Sequence, residues 1–219
     1  MTVTLEKTQQ RYYTPEEYLA LEEVAQTKSE YRNGQIIPMT GGTTNYNRIS
    51  GNLTVNHNRI ALSTSVGLRL GLKGQEYEVF IGDVRLWIPA AQVYTYPDVM
   101  AISGKPQYHN NRKDTVTNPQ VLVEVLSKST RNYDRGDKFD YYKTIPTFQE
   151  YILIDQSQIK ITQYFKTAAK RWTYQEYDEE DTALSFNGFD IEVPLADIYE
   201  KVDFEEDEND ANGENEGED

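Results

Sequence analysis

One short apolar segment, residues 119–127 with the sequence PQVLVEVLS, constrains the fold of this chain more than any other feature. It begins with proline and is rich in β-branched valine, which is typical of a strand covered on both faces in the centre of a sheet. Glu124 lies in the middle of the segment. A buried carboxylate without a partner costs several kcal/mol, so such a group is normally paired, hydrogen-bonded or bound to a metal ion. Glu124 is therefore the first candidate functional residue.

The length and composition indicate one domain from a reducing compartment. The 219 residues suffice for a substantial core. Cysteine is absent, which excludes disulfides and thiolate zinc sites, and His57 and His109 are too far apart in sequence to form a local ligand motif. No segment approaches the roughly 20 apolar residues of a membrane span, and the N-terminus lacks the pattern of a secretory signal. We expect a cytoplasmic protein with no membrane partner.

The negative charge is concentrated at the C-terminus. Residues 203–219 contain ten of the 36 acidic residues and no Lys or Arg, whereas residues 1–202 carry 26 acidic and 22 basic side chains. This acidic tail has too few apolar residues to offset its ordering entropy and is predicted to be disordered. It would solubilise the protein or shield a basic site. We divide the chain into a flexible N-terminus at 1–11, one domain at 12–202 and the acidic tail.

The N-terminal half is predicted to contain helices followed by strands. A capping box at residues 14–17 begins a helix that should end near residue 26, and an Asn-Gly pair predicts a hairpin over 29–38. A second helix is expected over 45–62. Strict apolar alternation then predicts a strand over 66–72.

Further strands are predicted over 83–88 and 94–102, although Pro97 is tolerated only at an edge, a bulge or a strand start. After the Glu124 strand, residues 130–145 predict a helix, followed by a strand at 151–155. Such a crossover helix makes the two strands parallel neighbours.

A hairpin over 159–177 and a short helix at 194–199 complete the predicted domain. The expected class is α/β (α+β), with a central mixed sheet flanked by helices.

Two acids amid apolar residues, Asp98 and Glu124, lie on predicted neighbouring strands. Carboxylates that converge at the end of a sheet are the usual protein contribution to a Mg²⁺ site. Such an ion polarises a phosphoryl oxygen and orients the attacking water in phosphodiester hydrolysis. Lys138 on the following helix would add positive charge where the transition state becomes more negative. Three residues share a broad helix face with this lysine: Asp134, Tyr141 and Tyr142.

Structural interpretations of the same residues remain open. Structural ion pairs also produce buried acids, and on composition alone a structural role for the two acids is favoured, in which they cap strand ends or pair with Arg85 or Arg131. Lys138 is as consistent with a solvated surface lysine as with a catalytic one. His57 is predicted to lie on the polar face of a helix without a functional role.

Four sequence blocks, in this order and spacing, resemble the Uma-two family of restriction-endonuclease-like proteins. They are EYRNGQI at 30–36, YPDV at 96–99, VEVLSKST at 123–130 and YDRGDKFDYY at 133–142. The resemblance covers roughly residues 12–202. The family is assigned to the PD-(D/E)XK nuclease superfamily. The resemblance therefore implies a restriction endonuclease-like core, Mg²⁺-dependent cleavage of DNA with Mn²⁺ as a substitute, and a homodimer.

The resemblance also implies roles for individual residues. Asp98 and Glu124 match the metal ligands, and the backbone carbonyl of Val125 would be the third. Glu30 matches the auxiliary upstream acid.

The chain departs from the superfamily pattern at one position. The superfamily lysine lies two residues after the second acid, where this chain has Leu126. The best replacement is Lys138, which would reach the same space from the following helix. Asp83 is a candidate further acid near the site, and Tyr142 is a candidate hydrogen-bond donor.

Two functions of different class remain open at this stage. The first is a metal-dependent endonuclease that hydrolyses DNA phosphodiester bonds. The second is a non-catalytic binding or dimerisation module, which Leu126 and the acidic tail favour. Hydrolysis of a small phosphate ester, a third function, would need a closed pocket. DNA binding would need a basic cluster around the site, for which the candidates are Lys105, Arg112, Lys113, Lys128, Arg131, Arg135 and Lys138.

Overall fold

The structure is a computed structural model that describes residues 11–39 and 51–204, with only the helical backbone over 51–54. The expectations for the N-terminal residues and for most of the acidic tail therefore lie outside the described residues, as does the predicted start of the second helix. None of the described helices is long and apolar enough to cross a membrane.

The described residues form three sheets and five α-helices. In chain order the strands are β1 (Ser29–Arg32), β2 (Gln35–Pro38), β3 (Tyr77–Ile81), β4 (Arg85–Ile88), β5 (Val93–Thr95), β6 (Val99–Ser103), β7 (Thr115–Val116), β8 (Val121–Leu126), β9 (Glu150–Asp155), β10 (Ile161–Ala168), β11 (Arg171–Tyr177), β12 (Ala183–Phe186) and β13 (Ile191–Pro194). The helices are α1 (Pro15–Glu22), α2 (Gly51–Gly71), α3 (Arg131–Arg135), α4 (Asp137–Tyr142) and α5 (Leu195–Ile198). The sheet orders are β2-β1-β5-β4-β7, β11-β10-β9-β8-β6-β3 and β12-β13.

Strand β8 lies inside the six-stranded sheet, and all six of its residues are buried. It pairs antiparallel with β6 and parallel with β9, so the predicted parallel neighbours are confirmed. The crossover between them is not one continuous helix over 130–145. It breaks at Gly136, whose φ of −108° and ψ of −104° are not helical, into α3 and α4.

The two faces of β8 are covered by different helices, because successive strand residues point to opposite sides. The odd-numbered valines pack in one hydrophobic cluster with Ile60 of α2. Leu122 and Leu126 pack in a second cluster with Tyr142 of α4. Glu124 lies between those two leucines and therefore faces α4.

The strand predicted over 66–72 is wrong, since these residues complete helix α2. Leu68 and Leu72 are buried, whereas Val66 and Leu70 are exposed. Residues four apart share a helix face, so the same alternation of apolar residues also fits a helix with one buried and one exposed side.

The strand predicted over 94–102 is two strands in different sheets. Strand β5 belongs to the five-stranded sheet and β6 to the six-stranded sheet. Pro97 lies between them, where its missing N–H removes no ladder hydrogen bond. The break puts Asp98 directly before β6.

Several local predictions are confirmed. The capping box of α1 is present, although the helix ends at Glu22 and not near residue 26. The hairpins β1-β2 and β10-β11 have the predicted antiparallel pairing, and α5 forms within the predicted terminal helix. The hairpin β12-β13 was not predicted.

Helix α2 approaches β13 closely at Gly67, where an added Cβ would lie 2.5 Å from Cγ1 of Val193. Alanine normally stabilises a helix relative to glycine, but here the added methyl group would overpack the contact. We expect Gly67→Ala to lower the free energy of unfolding by about 1–3 kcal/mol in urea denaturation. The exposed Asn58→Ala on the same helix should change it by less than about 0.5 kcal/mol. Equal stabilities would contradict the packing of α2 against β13.

Candidate active site

Asp98 and Glu124 come together because β6 and β8 are paired, with Val99 opposite Val123. Asp98 lies in the segment between β5 and β6 and directly precedes β6. The backbone N–H of Val125 donates a hydrogen bond to Oδ2 of Asp98, with a distance of 2.7 Å. The carboxylate of Asp98 therefore lies against β8, beside the residue that follows Glu124.

Two side chains from α4 contact the Glu124 carboxylate. The hydroxyl of Tyr142 donates to Oε1 at 2.6 Å, and Nζ of Lys138 lies 2.9 Å from Oε2. The same ammonium lies 3.2 Å from Oδ1 of Asp134, which is four residues earlier on α3. Lys138 is buried, so the interpretation of it as a solvated surface lysine is wrong. Two residues of α4 thus contact the strand carboxylate, and Lys138 joins it to Asp134 of α3.

Glu30 reaches the same cluster from β1. Its Oε1 lies 4.0 Å from Nζ of Lys138 and accepts a hydrogen bond from the hydroxyl of Thr95. Its Oε2 accepts from Nε of Arg32 at 2.9 Å. The upstream acid therefore lies beside the lysine and not beside Asp98.

Sequence reasoning missed His57, whose Nε2 lies 2.9 Å from Oδ1 of Asp98. The prediction of a polar helix face without a role is corrected. The available signal was spacing: His57 precedes the buried residues Ile60 and Ala61 by three and four positions, which places it on the packed side of α2. A lone histidine with that spacing points to the sheet, but the spacing does not show which carboxylate it meets.

Other sequence candidates have different partners. Asp83 is exposed and pairs with Lys28, and the preceding Gly82 donates a backbone hydrogen bond to the carbonyl of Asp98. Its role as a further acid near the site stays a prediction. Arg85 donates to the hydroxyl of Tyr96. Arg131 lies 3.4 Å from Asp155.

The alternative pairing of the two acids with these arginines is therefore wrong. Among the basic candidates, Arg112 is paired with Glu23 and Asp114.

Burial raises the pKa of Glu124 well above its usual value, and the nearby carboxylates of Asp98 and Asp134 add to that rise against the effect of Lys138. Burial favours neutral Lys138, but the surrounding acids outweigh it and raise its pKa well above the usual value. The lysine is therefore a cation and a hydrogen-bond donor. The ionised form of Glu124 is disfavoured by burial and by the neighbouring carboxylates.

Burial would also raise the pKa of Asp98 and that of Glu30, but nearby cations lower both values. His57 and Lys138 lower the pKa of Asp98, and Lys138 and Arg32 lower that of Glu30. Both therefore ionise readily.

The cluster contains more acids than permanent cations. The acids are Glu30, Asp98, Glu124 and Asp134, and the permanent cations are Arg32 and Lys138. Several carboxylates close together in a buried site favour a bound cation, because a nearby positive charge favours their ionised forms.

The donor set suits a hard divalent ion that keeps several water ligands. Within residues 11–39 and 51–204 no three His, Asp or Glu side chains are arranged to hold an ion together. Asp98 and Glu124 could provide two carboxylates, and water and substrate oxygens could complete the coordination, as is common for Mg²⁺.

Removal of Lys138 alone should leave its carboxylate partners buried without compensation. We expect Lys138→Met to lower the free energy of unfolding by about 3–5 kcal/mol in metal-free urea denaturation. Lys143→Met removes a more exposed lysine paired with Asp140, and should cost less than about 1 kcal/mol. Adding Glu124→Gln to Lys138→Met should recover part of the loss. Equal costs for the two lysine variants would contradict the buried ion pair.

Comparison with known proteins agrees with the sequence blocks. The Uma2 family model, described as "Putative restriction endonuclease", matches residues 15–196. The Synechocystis sp. protein named "Uncharacterized protein sll1609" is 40% identical over 174 residues, which cover 80% of this chain and 92% of its own. A second from the same strain, "Uncharacterized protein slr1290", is 36% identical over 196 residues, covering 87% and 93%.

A solved structure shares the fold. It is titled a crystal structure of "a putative nuclease belonging to DUF820 from Anabaena variabilis ATCC 29413", and it matches with a TM-score of 0.64 at 17% identity, covering 85% of this chain and 97% of that one. The predicted fold class is confirmed by this match. Because the family model spans most of the sequence, this chain belongs to the Uma2 family.

Proposed function

We propose that this protein is a metal-dependent endonuclease that hydrolyses DNA phosphodiester bonds. The observation that carries the proposal is the contact of Lys138 with Glu124, beside Asp98 on the adjoining strand. Two acids and one lysine are the chemical groups that metal-assisted phosphodiester hydrolysis needs. The description of the Uma2 family supports a nuclease.

Asp98 and Glu124 would hold Mg²⁺, or Mn²⁺ in its place, and the backbone carbonyl of Val125 would be a third ligand. When bound, the ion supplies Lewis-acid polarisation of the phosphoryl group and activates water. The protein holds the first carboxylate by the Val125 N–H and by His57, and the second by Tyr142. These contacts limit the rotation of both carboxylates before substrate arrives.

Lys138 would stabilise the negative charge that develops on the phosphoryl oxygens. Its raised pKa keeps it protonated, so it acts as a donor and not as a base. The usual position of this lysine is occupied by Leu126, which is packed with Tyr142 on the α4-facing side of β8. In this proposal Lys138 from α4 replaces that lysine.

Paired cuts in duplex DNA require two active sites, and a homodimer would provide them. We include a homodimer in the proposal on that ground.

Metal binding can be measured without any cleavage. We expect Mg²⁺ or Mn²⁺ to raise the melting temperature, since an ion present at 100 times its Kd stabilises the folded state by about 2.7 kcal/mol. Asp98→Asn should abolish the shift. Glu176→Gln should keep it, because that acid lies on the edge strand β11 and pairs with Lys160. The same shift in both variants would contradict the assigned ligands.

Plasmid cleavage tests the activity itself. Asp98→Asn and Glu124→Gln should abolish Mg²⁺-dependent cleavage, and Lys138→Met should lower the rate about 10²–10³-fold, the usual cost of removing one transition-state donor. Folding of each variant is checked by circular dichroism, and Glu176→Gln is the active control. The absence of cleavage by the unaltered protein, together with no calorimetric metal binding, would replace the proposal with a non-catalytic module that retains the fold.

A further inference from the structure

Arg32 is the more accessible of the two permanent cations at the site. It is the last residue of β1 and lies two positions after Glu30, so the two side chains share one face of the strand. Its side chain is 25% exposed, whereas that of Lys138 is 7% exposed. A substrate that approaches the cluster from solvent therefore meets the guanidinium more readily than the buried ammonium.

Two contacts hold the guanidinium in place. Nε and Nη2 both donate to Oε2 of Glu30. The guanidinium carbon lies 3.5 Å from the centroid of the Tyr133 ring on α3. An arginine that is stacked and ion-paired loses little further side-chain entropy when it binds a ligand. Nη1 takes no part in the pair with Glu30, so the fork keeps a donor for another partner.

Arg32 is also linked to the proposed catalytic lysine. Glu30 contacts Arg32 through Oε2 and lies 4.0 Å from Lys138 through Oε1. The Tyr133 ring is 3.5 Å from the guanidinium carbon and 5.7 Å from Nζ of Lys138. One carboxylate and one aromatic ring thus hold both cations on the same side of the cluster.

Three side chains of the cluster are partly exposed to solvent. The side chains of Asp98 and His57 are 19% and 27% exposed, similar to Arg32, whereas Glu30 and Glu124 are nearly fully buried. The partly exposed groups of the cluster are therefore one proposed metal ligand, one histidine and one guanidinium. A guanidinium is the planar donor group best suited to phosphate oxygens, and Arg32 is partly exposed and joined to Lys138 through Glu30.

We propose that Arg32 binds a backbone phosphate of the DNA substrate and so positions the strand for cleavage. This inference rests on the proposed function and adds a substrate contact to it. Glu30 then holds Arg32 and Lys138 on its two oxygens, and its negative charge limits the positive charge of the pair before DNA binds. Arg32 is a binding residue, and the reacting atoms remain with Asp98, Glu124 and Lys138.

A purely structural Arg32 would only orient Glu30, and the salt dependence of binding separates the two roles. Each phosphate contact that is lost lowers the slope of log Kd against log salt by about one. The orientation of Glu30 affects turnover and not that slope. The probe is a fluorescent DNA duplex of about 20 base pairs, with Ca²⁺ in place of Mg²⁺ and several salt concentrations.

We expect Arg32→Gln to weaken binding about 10-fold and to lower the salt slope by about one, while Arg32→Lys should restore the slope because it keeps the charge. The matched control is Arg69→Gln. Arg69 is an exposed arginine of α2 that donates to the carbonyl of Val79, and it lies twelve residues along the helix from His57. Its removal should leave Kd, slope and cleavage unchanged. Glu30→Gln should lower the cleavage rate with little change in slope.

The outcomes separate this inference from the proposed function. If the unaltered protein binds and cleaves DNA but Arg32→Gln has the slope and Kd of Arg69→Gln, the phosphate contact is wrong and the nuclease stands. If the unaltered protein neither binds nor cleaves the duplex, both are wrong. Melting temperatures of all variants in the same buffer show that the comparison is made on folded protein.

Discussion

The ion pair between Glu124 and Lys138 is the interaction on which the candidate site depends. A carboxylate in a fully buried strand needs compensation, and the ammonium on α4 lies 2.9 Å away. To bring it there, the chain must cross from β8 to β9 through α3 and α4, and the alternation of β8 must turn Glu124 toward those helices. The packing of the core and the geometry of the site therefore both require that α4 cover this face of β8.

The change of sheet between β5 and β6 provides the second half of the site. Pro97 separates the two strands, and Asp98 follows it directly at the entrance to β6. In this position its carboxylate accepts a hydrogen bond from the backbone of β8 and contacts His57 on α2. The two acids are thus supplied by adjoining strands but are supported by helices on opposite faces of the sheet.

Charge balance links this arrangement to the proposed chemistry. The acids outnumber the permanent cations, and the pKa of Glu124 is raised by burial and by its acidic neighbours. A divalent ion would relieve that repulsion, since a nearby positive charge favours ionised carboxylates. The Arg32 side chain is partly exposed and that of Lys138 is buried, with Glu30 between them.

Local patterns in the sequence were enough to specify the central strand, the hairpins, the capped first helix and the approach of Asp98 to Glu124, because these depend on periodicity, turn residues and pairing of neighbouring strands. They could not distinguish helix from strand over 66–72, where both periods fit the apolar residues. Three features required the packed structure: the burial of Lys138, the pairing of His57 with Asp98 and the ion pair of Arg32 with Glu30. Most of these join segments distant in the chain, and their distances follow from the packing of helices on the sheet, which no local pattern encodes.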